Sequence, residues 1–183
     1  MKFVATGLSG VCVVETSPNV DARGMFARLF CELDLSGVIG TRRIVQINHS
    51  RTSEIGAVRG LHYQRPPYAE MKLVRCLRGR AFDVAVDLRA GSPTFLKWHS
   101  EEISGENMRM LVIPEGCAHG FQALEPNSEL LYLHTAFFAP DAEGGIRFDD
   151  ERLGIPWPLQ VTGVSPRDSQ LPVLDRHFSG IAI

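Results

Sequence analysis

Cysteine is sparse in this chain, and its placement sets the first limit. Cys12, Cys31, Cys76 and Cys117 are scattered and form no CxxC pair. That argues against a disulfide framework and against a thiolate metal site, and a reducing cytoplasm fits such usage best. Charge of one sign is missing too. A formal net charge of −2 shows no basic excess, which argues against general nucleic-acid binding and against an anionic membrane surface. A local arginine pocket for phosphate stays open. No apolar run reaches the roughly 20 residues that a membrane helix needs. The opening MKFVATGLSGVCVVE carries one lysine and is broken by glycines, a poor match to a signal peptide. There is no repeat, no low-complexity tract and no linker. With 183 residues, 44% of them hydrophobic, the chain suits one domain over 1–183 with a sizeable core.

What is present is a series of short β-like runs divided by turn signals. The segment Val58–Arg89 is the densest. Within it Leu73–Leu77 and Ala81–Leu88 read as strands. The second alternates, with Phe82, Val84, Val86 and Leu88 on one face and Asp83, Ala85 and Asp87 on the other. His62 and Lys72 flank a Pro-Pro turn just upstream. Val11–Glu15 reads as the first strand, Met25–Phe30 alternates, and Cys31–Ile39 suits one short helix. Arg43–Ser50 is a strand with Gln46 and Asn48 on one face. Thr94–Ile103 and Met110–Ile113 continue the pattern, and Pro114–Phe121 is a turn entering another strand. Glu129–Phe138 is a strand with Tyr132 and His134 on one face. Beyond Pro140 the pattern weakens. Asp149–Leu153 suits a helical turn, Ile155–Pro158 is extended, Ser165–Asp168 is a loop, and 173–183 is a loosely held tail. Many short strands with regular turns predict an all-β barrel or sandwich, whose interior can hold a small ligand.

Several pieces, taken together and in order, are more specific. They are Asp21-x-Arg23-Gly24-x-Phe26, Gln46-x-Asn48, Arg59-Gly60-Leu61-His62-Tyr63-Gln64, Lys72-Leu73-Val74, Phe82-Asp83-Val84, Ser92-Pro93-Thr94, Pro114-Glu115-Gly116-x-Ala118-His119-Gly120-Phe121, Leu131-Tyr132, Ile155-x-Trp157-Pro158 and Ser165-x-x-Asp168. In these the chain resembles the dTDP-4-dehydrorhamnose 3,5-epimerases, cupin-type jelly-roll enzymes of nucleotide-sugar biosynthesis. The likeness runs from about residue 21 to 172. It implies an all-β jelly-roll barrel with a few short helices. It implies His62 as base, Asp168 as its carboxylate partner, Lys72 beside the substrate carbonyl and Tyr132 as the acid. It implies ligand contacts at Arg23, Gln46, Asn48, Arg59, His119, Phe138, Glu143 and Arg167, with Phe138 stacking on the nucleotide base. No cofactor and no metal are implied. The implied partners are a dTDP-linked or otherwise nucleotide-linked 4-keto-6-deoxy sugar and a second copy of the chain, with N-terminal strands crossing in a homodimer. Arg28 and Ile47 depart from the family pattern, which has glutamate and aspartate there, and position 138 is usually tyrosine.

The chemistry suits these residue types. Hydrogens at C3 and C5 lie α to a C4 ketone, so inversion needs a base on one face, an acid on the other and a cation for the enolate oxygen. A histidine with an ordinary pKa of ~6.5 is a fitting base, and a buried carboxylate would fix its tautomer. A lysine donor in a dry pocket can contribute roughly 3–4 kcal/mol to the enolate. Arg23, Arg59 and Arg167 suit a diphosphate. Each of these residues alone has a blander reading: a paired core histidine, a surface lysine, a packed tyrosine, an arginine at a rim. His49, His99, His134 and His177 take that reading, and Asp83 and Asp87 suit solvated strand faces, Asp83 also a pocket. Three other functions compete. One is a metal-dependent cupin on His62, His119 and Glu70, a poor donor set because position 64 is Gln. Another is a sugar-binding barrel without catalysis. The third is an epimerase acting at one centre, or on another nucleotide's sugar.

Overall fold

Period-two alternation builds nearly all of this protein. The computed structural model describes residues 1–183 and contains thirteen strands and two short helices. In chain order the strands are β1 (Lys2–Ala5), β2 (Cys12–Glu15), β3 (Asn19–Asp21), β4 (Gly24–Phe26), β5 (Gln46–Thr52), β6 (Val58–Gln64) and β7 (Lys72–Arg78). They continue as β8 (Arg80–Asp87), β9 (Trp98–Ser104), β10 (Met110–Ile113), β11 (Cys117–Ala123), β12 (Ser128–His134) and β13 (Glu143–Gly145). Helix α1 (Glu32–Ile39) follows β4, and the one-turn α2 (Pro166–Ser169) lies near the C-terminus. The first sheet has the order β1-β2-β10-β7-β12-β5 and the second β13-β6-β11-β8-β9. All pairings within them are antiparallel. The two sheets face each other as a jelly roll, and β3–β4 stands apart as a hairpin.

Three apolar layers hold this arrangement. Between the sheets, Val13, Val74, Leu111 and Leu130 of the first meet Ala85, Ile103, Phe121 and Ala123 of the second. Outside the first sheet, Leu35 and Ile39 of α1, one helical turn apart, cover Val14, Leu73, Met110 and Leu133. Outside the second sheet the C-terminal segment covers Leu61, Val84, Val86 and Ala118 with Ile146, Leu153, Ile155 and Leu174. The inner layer is dry toward β2 and β10. Toward β5, β12 and β6 polar side chains replace it, and a cavity opens there. No helix is long and apolar enough to cross a membrane.

Several elements differ from the sequence reading. β1 and β6 were not expected as strands. Residues 94–97 form turns, so β9 begins later than the apolar pattern suggests. Ser165–Asp168 is the start of a helix, not a loop: Ser165 caps it by accepting the Asp168 N–H, and Pro166 takes the first helical position. The tail is docked: Ile181 pairs with Arg89, and the Phe178 ring stacks on Phe95 with centroids 5.9 Å apart. Asp83 and Asp87 are fully buried, because the C-terminal segment covers the outer face of β8 while the barrel interior covers the other.

Asp87 shows how such a burial is tolerated. It accepts hydrogen bonds from the Arg89 N–H at 3.0 Å, the Arg89 guanidinium at 2.8 Å, and the hydroxyls of Ser92 and Thr94. Burial alone would raise its pKa, but these donors outweigh it and hold the carboxyl down to about 2. A depressed carboxylate contributes stability that is full above the unfolded-state pKa of 3.8 and is lost as pH falls through about 2. The shift corresponds to about 2 kcal/mol. Asp87→Asn should therefore lose about that much or more at pH 7. The gap from wild type should narrow below about pH 4. Denaturant unfolding at several pH values reads both, and a pH-independent gap would contradict the assignment.

Candidate active site

The cavity has a volume of about 570 Å³ and opens to solvent at the end of the barrel. Alternation aims its walls. From the first sheet come Gln46, Asn48 and Ser50 of β5, Lys72 of β7, and Tyr132 and His134 of β12. From the second come Arg59 and His62 of β6 and His119 of β11, with Glu143 of β13 and Asp168 of α2 beside them.

His62 is held by what surrounds it. Its Nε2 lies 2.8 Å from Asp168 Oδ1, and the second oxygen of Asp168 accepts the buried Gly60 N–H at 3.1 Å. Burial works to raise the Asp168 pKa; it is outweighed by the hydrogen bond and charge of His62 and by the Gly60 amide, so the carboxyl lies below its ordinary value. With Nε2–H turned to an ionised carboxylate, His62 keeps its lone pair on Nδ1. Gly60 permits the contact. Its φ is 118°, and a Cβ there would sit 2.6 Å from Gly120 Cα, where the β6–β11 register shifts.

Tyr132 approaches from the opposite sheet. Its hydroxyl lies 3.0 Å from Ser50 Oγ, and its ring meets the edge of His119 at 6.0 Å and 73°. Burial pushes the phenol far above its usual value, which favours its protonated, hydrogen-bond-donating form. Lys72 donates to the His62 carbonyl at 3.3 Å and pairs with Glu70 at 3.3 Å. His119 Nε2 lies 2.7 Å from Asp83 Oδ1, and the other Asp83 oxygen has no hydrogen-bond partner. Arg59 is braced by Thr52 at 3.0 Å and by the Arg51 carbonyl. Arg167 pairs with Glu143, and the Gln46 side chain accepts the Phe138 N–H at 3.1 Å at the mouth.

Eleven of the twelve residues singled out in the sequence therefore surround one cavity. The twelfth, Arg23, does not: it stands on the β3–β4 hairpin with a 90% exposed side chain, paired to Asp21. Arg28 pairs with Asp34 at 3.3 Å, and the Ile47 side chain is exposed on the far side of β5, so neither lines the cavity. The sequence reading places His134 on the face of Tyr132 but takes it as a paired core histidine, with a role only as the substitute acid should Tyr132 not be one, and weighs Glu70 only as a metal ligand. Both line the cavity, and a signal was available: His134 is two residues from Tyr132, and Glu70 two from Lys72, so each shares its neighbour's face. Nowhere do three histidine, cysteine or acidic side chains converge as a metal would require. His62, His119 and Glu70 each turn to a different partner.

Residues 5–176 match the family model described as dTDP-4-dehydrorhamnose 3,5-epimerase. The chain belongs to that family. Among its relatives is the dTDP-4-dehydrorhamnose 3,5-epimerase of Salmonella typhimurium, 42% identical over 178 residues, which are 96% of this chain and 97% of that one. Two solved structures share the architecture. One is the Bacillus anthracis enzyme with TDP and PPi bound, with a TM-score of 0.91 and 36% identity, covering 94% of this chain and 99% of the other. The other is a Legionella pneumophila dTDP-6-deoxy-D-glucose-3,5-epimerase in complex with dTDP-4-keto-L-rhamnose, with a TM-score of 0.90 and 38% identity, covering 100% and 98%. The jelly roll described above is thus the epimerase family's fold.

The His62–Asp168 contact yields a test. In Asp168→Asn the ring of His62 survives but loses the carboxylate that fixes its tautomer and steadies its protonated form. The rate of proton abstraction should fall on the order of 100-fold or more. Proton exchange followed by NMR, with a thermal melt to show that the fold persists, checks this; near-wild-type exchange would break the dyad assignment.

Proposed function

We propose that His62, Lys72, Tyr132 and Asp168 carry out epimerisation of a nucleotide-linked 4-keto-6-deoxyhexose at C3 and C5, in the manner of dTDP-4-dehydro-6-deoxy-D-glucose going to dTDP-4-dehydro-L-rhamnose. His62 Nδ1 takes the proton α to the C4 ketone, and its charge is balanced by Asp168. The Lys72 ammonium neutralises the enolate oxygen, an interaction that strengthens as charge develops. Tyr132 returns a proton to the other face. One observation carries this reading: base and acid project from different sheets into one cavity, each held by its own partner, Asp168 and Ser50. A non-catalytic binding barrel has no use for that opposition.

Around the reacting ring, side chains suited to a nucleoside-diphosphate tail support the reading. Arg59 and Arg167 offer guanidinium groups for the diphosphate, Gln46, Asn48 and His119 offer polar contacts, and Phe138 at the mouth supplies a stacking face for the base. Four free cysteines suit work in the reducing cytoplasm. A homodimer accounts for the hairpin that stands apart. Val20, Met25 and Phe26 on β3–β4 are strongly exposed, an apolar set that a second copy would cover, carrying Arg23 toward that copy's cavity. Light scattering should give twice the chain mass at micromolar concentration; a dilution-independent monomer would contradict the pairing.

Incubation in deuterated water with a panel of 4-keto-6-deoxy sugar nucleotides tests the chemistry. Wild type should exchange and invert. His62→Ala should abolish exchange, by about 1,000-fold or more, in a folded protein. Tyr132→Phe should still exchange yet form little inverted sugar, because abstraction survives and reprotonation returns from the same side. Fast inversion by Tyr132→Phe would place the acid elsewhere.

A further inference from the structure

Two polar side chains in the cavity, His134 and Glu70, have no part in the mechanism above. His134 projects from β12 beside Tyr132, and the two rings stack with centroids 6.2 Å apart and planes 22° apart. Register places His134 opposite Lys72 on β7. Four contacts then run in series. The Asn48 amide nitrogen lies 3.3 Å from His134 Nε2, and His134 Nδ1 lies 2.7 Å from Glu70 Oε2. Glu70 Oε1 lies 3.3 Å from Lys72 Nζ, which donates to the His62 carbonyl. The side chains of His134, Glu70 and Lys72 are only 10%, 8% and 11% exposed.

The direction of the hydrogen bonds follows from chemistry. An amide NH₂ only donates, so His134 Nε2 accepts from Asn48 and the ring proton sits on Nδ1, aimed at Glu70. Glu70 stays charged: burial opposes its ionisation, but the His134 hydrogen bond and the Lys72 charge outweigh it and lower its pKa. An ionised carboxylate this close to Lys72 is a hazard for an enolate-stabilising cation. Left free, both of its oxygens can close on the ammonium, and the positive charge is spent on Glu70 instead of on the substrate. Lys72 has three N–H donors; His62 O and Glu70 Oε1 take two.

We propose that His134 is a positioning residue for the epimerisation: by holding Oε2 of Glu70 it limits that carboxylate to one contact with Lys72 and leaves the third N–H for the enolate oxygen. The inference rests on Lys72 serving the enolate as described above. Its effect is on turnover more than on substrate binding, because the enolate exists only after abstraction.

Three substitutions at one position test it in the full-length protein. The amide nitrogen of asparagine falls roughly where Nδ1 stood, and that of glutamine roughly where Nε2 stood. His134→Leu should lower kcat about 30-fold with KM changed less than about threefold. His134→Asn should recover most of that loss, to within about fivefold of wild type, while His134→Gln should stay near the leucine variant. Adding Glu70→Gln to His134→Leu should cost less than the two separate losses combined, since both act through one contact. Rescue by glutamine but not asparagine would give the role to Asn48 and overturn the proposal. So would additive losses, or a leucine variant as fast as wild type. If His134→Leu does not fold, the asparagine and glutamine variants, both polar, carry the comparison alone. A wild type inactive on every keto-sugar nucleotide would bring down the functional reading together with this one; an active wild type with no asparagine rescue brings down this one alone.

Discussion

The buried carboxylate of Asp168 is the point on which the site depends. It joins two parts of the chain more than one hundred residues apart, accepting from the His62 ring at 2.8 Å and from the Gly60 amide at 3.1 Å. Both oxygens are therefore engaged, and an engaged carboxylate keeps its charge inside a protein where a bare one would not. Everything that places Asp168 matters to His62. Ser165 caps its short helix, and Ile146, Leu153, Ile155 and Leu174 lay the segment on either side of that helix against the second sheet. The alignment of the His62 ring is thus inherited from apolar packing on the outside of the barrel.

The same rule governs the rest of the interior. Four histidines line the cavity, and each faces an acid: His62 with Asp168, His119 with Asp83, His134 with Glu70 and, more exposed, His49 with Glu129. Lys72 is the cation among them and shares Glu70 with His134. A loose end beside these pairs is the second oxygen of Asp83, fully buried and without a partner. Paired charges of this kind contribute little net stability once desolvation is counted. Their value lies in fixed orientation, which an anionic reaction intermediate requires.

Much of this was legible in the sequence, and the exceptions have physical causes. β7, β8 and β10 alternate or run apolar, and their expected limits are nearly the true ones; β12 was expected to run to Phe138 but ends at His134. β6 was missed because Arg59, Gly60 and His62 make its pattern polar and irregular, and those residues serve the site instead of the core. β1 pairs only with β2 and is exposed along its length, so no burial marks it. α2 carried a legible signal, serine followed by proline, that its shortness obscured. The twelve candidate residues came through resemblance, and the fold gathers all but Arg23. His134 and Glu70 were visible as same-face neighbours of Tyr132 and Lys72. Their pairing with each other was not, because it depends on the register of β12 with β7, which no local pattern encodes.

The barrel's interior is divided into a dry end, filled from β2, β10 and β9, and a wet end bounded by β5, β12 and β6. Core packing and the cavity wall therefore occupy different residues on the same strands: on β12, Leu130 belongs to one and His134 to the other. A lineage can exchange side chains at the wet end without hollowing the dry one, and so can drift toward a new sugar or a new nucleotide while its melting temperature holds. Constraint on the two ends should accordingly be uncoupled, with the dry residues replaced only by others of like volume and the wet ones changing in correlated groups that keep each charge matched.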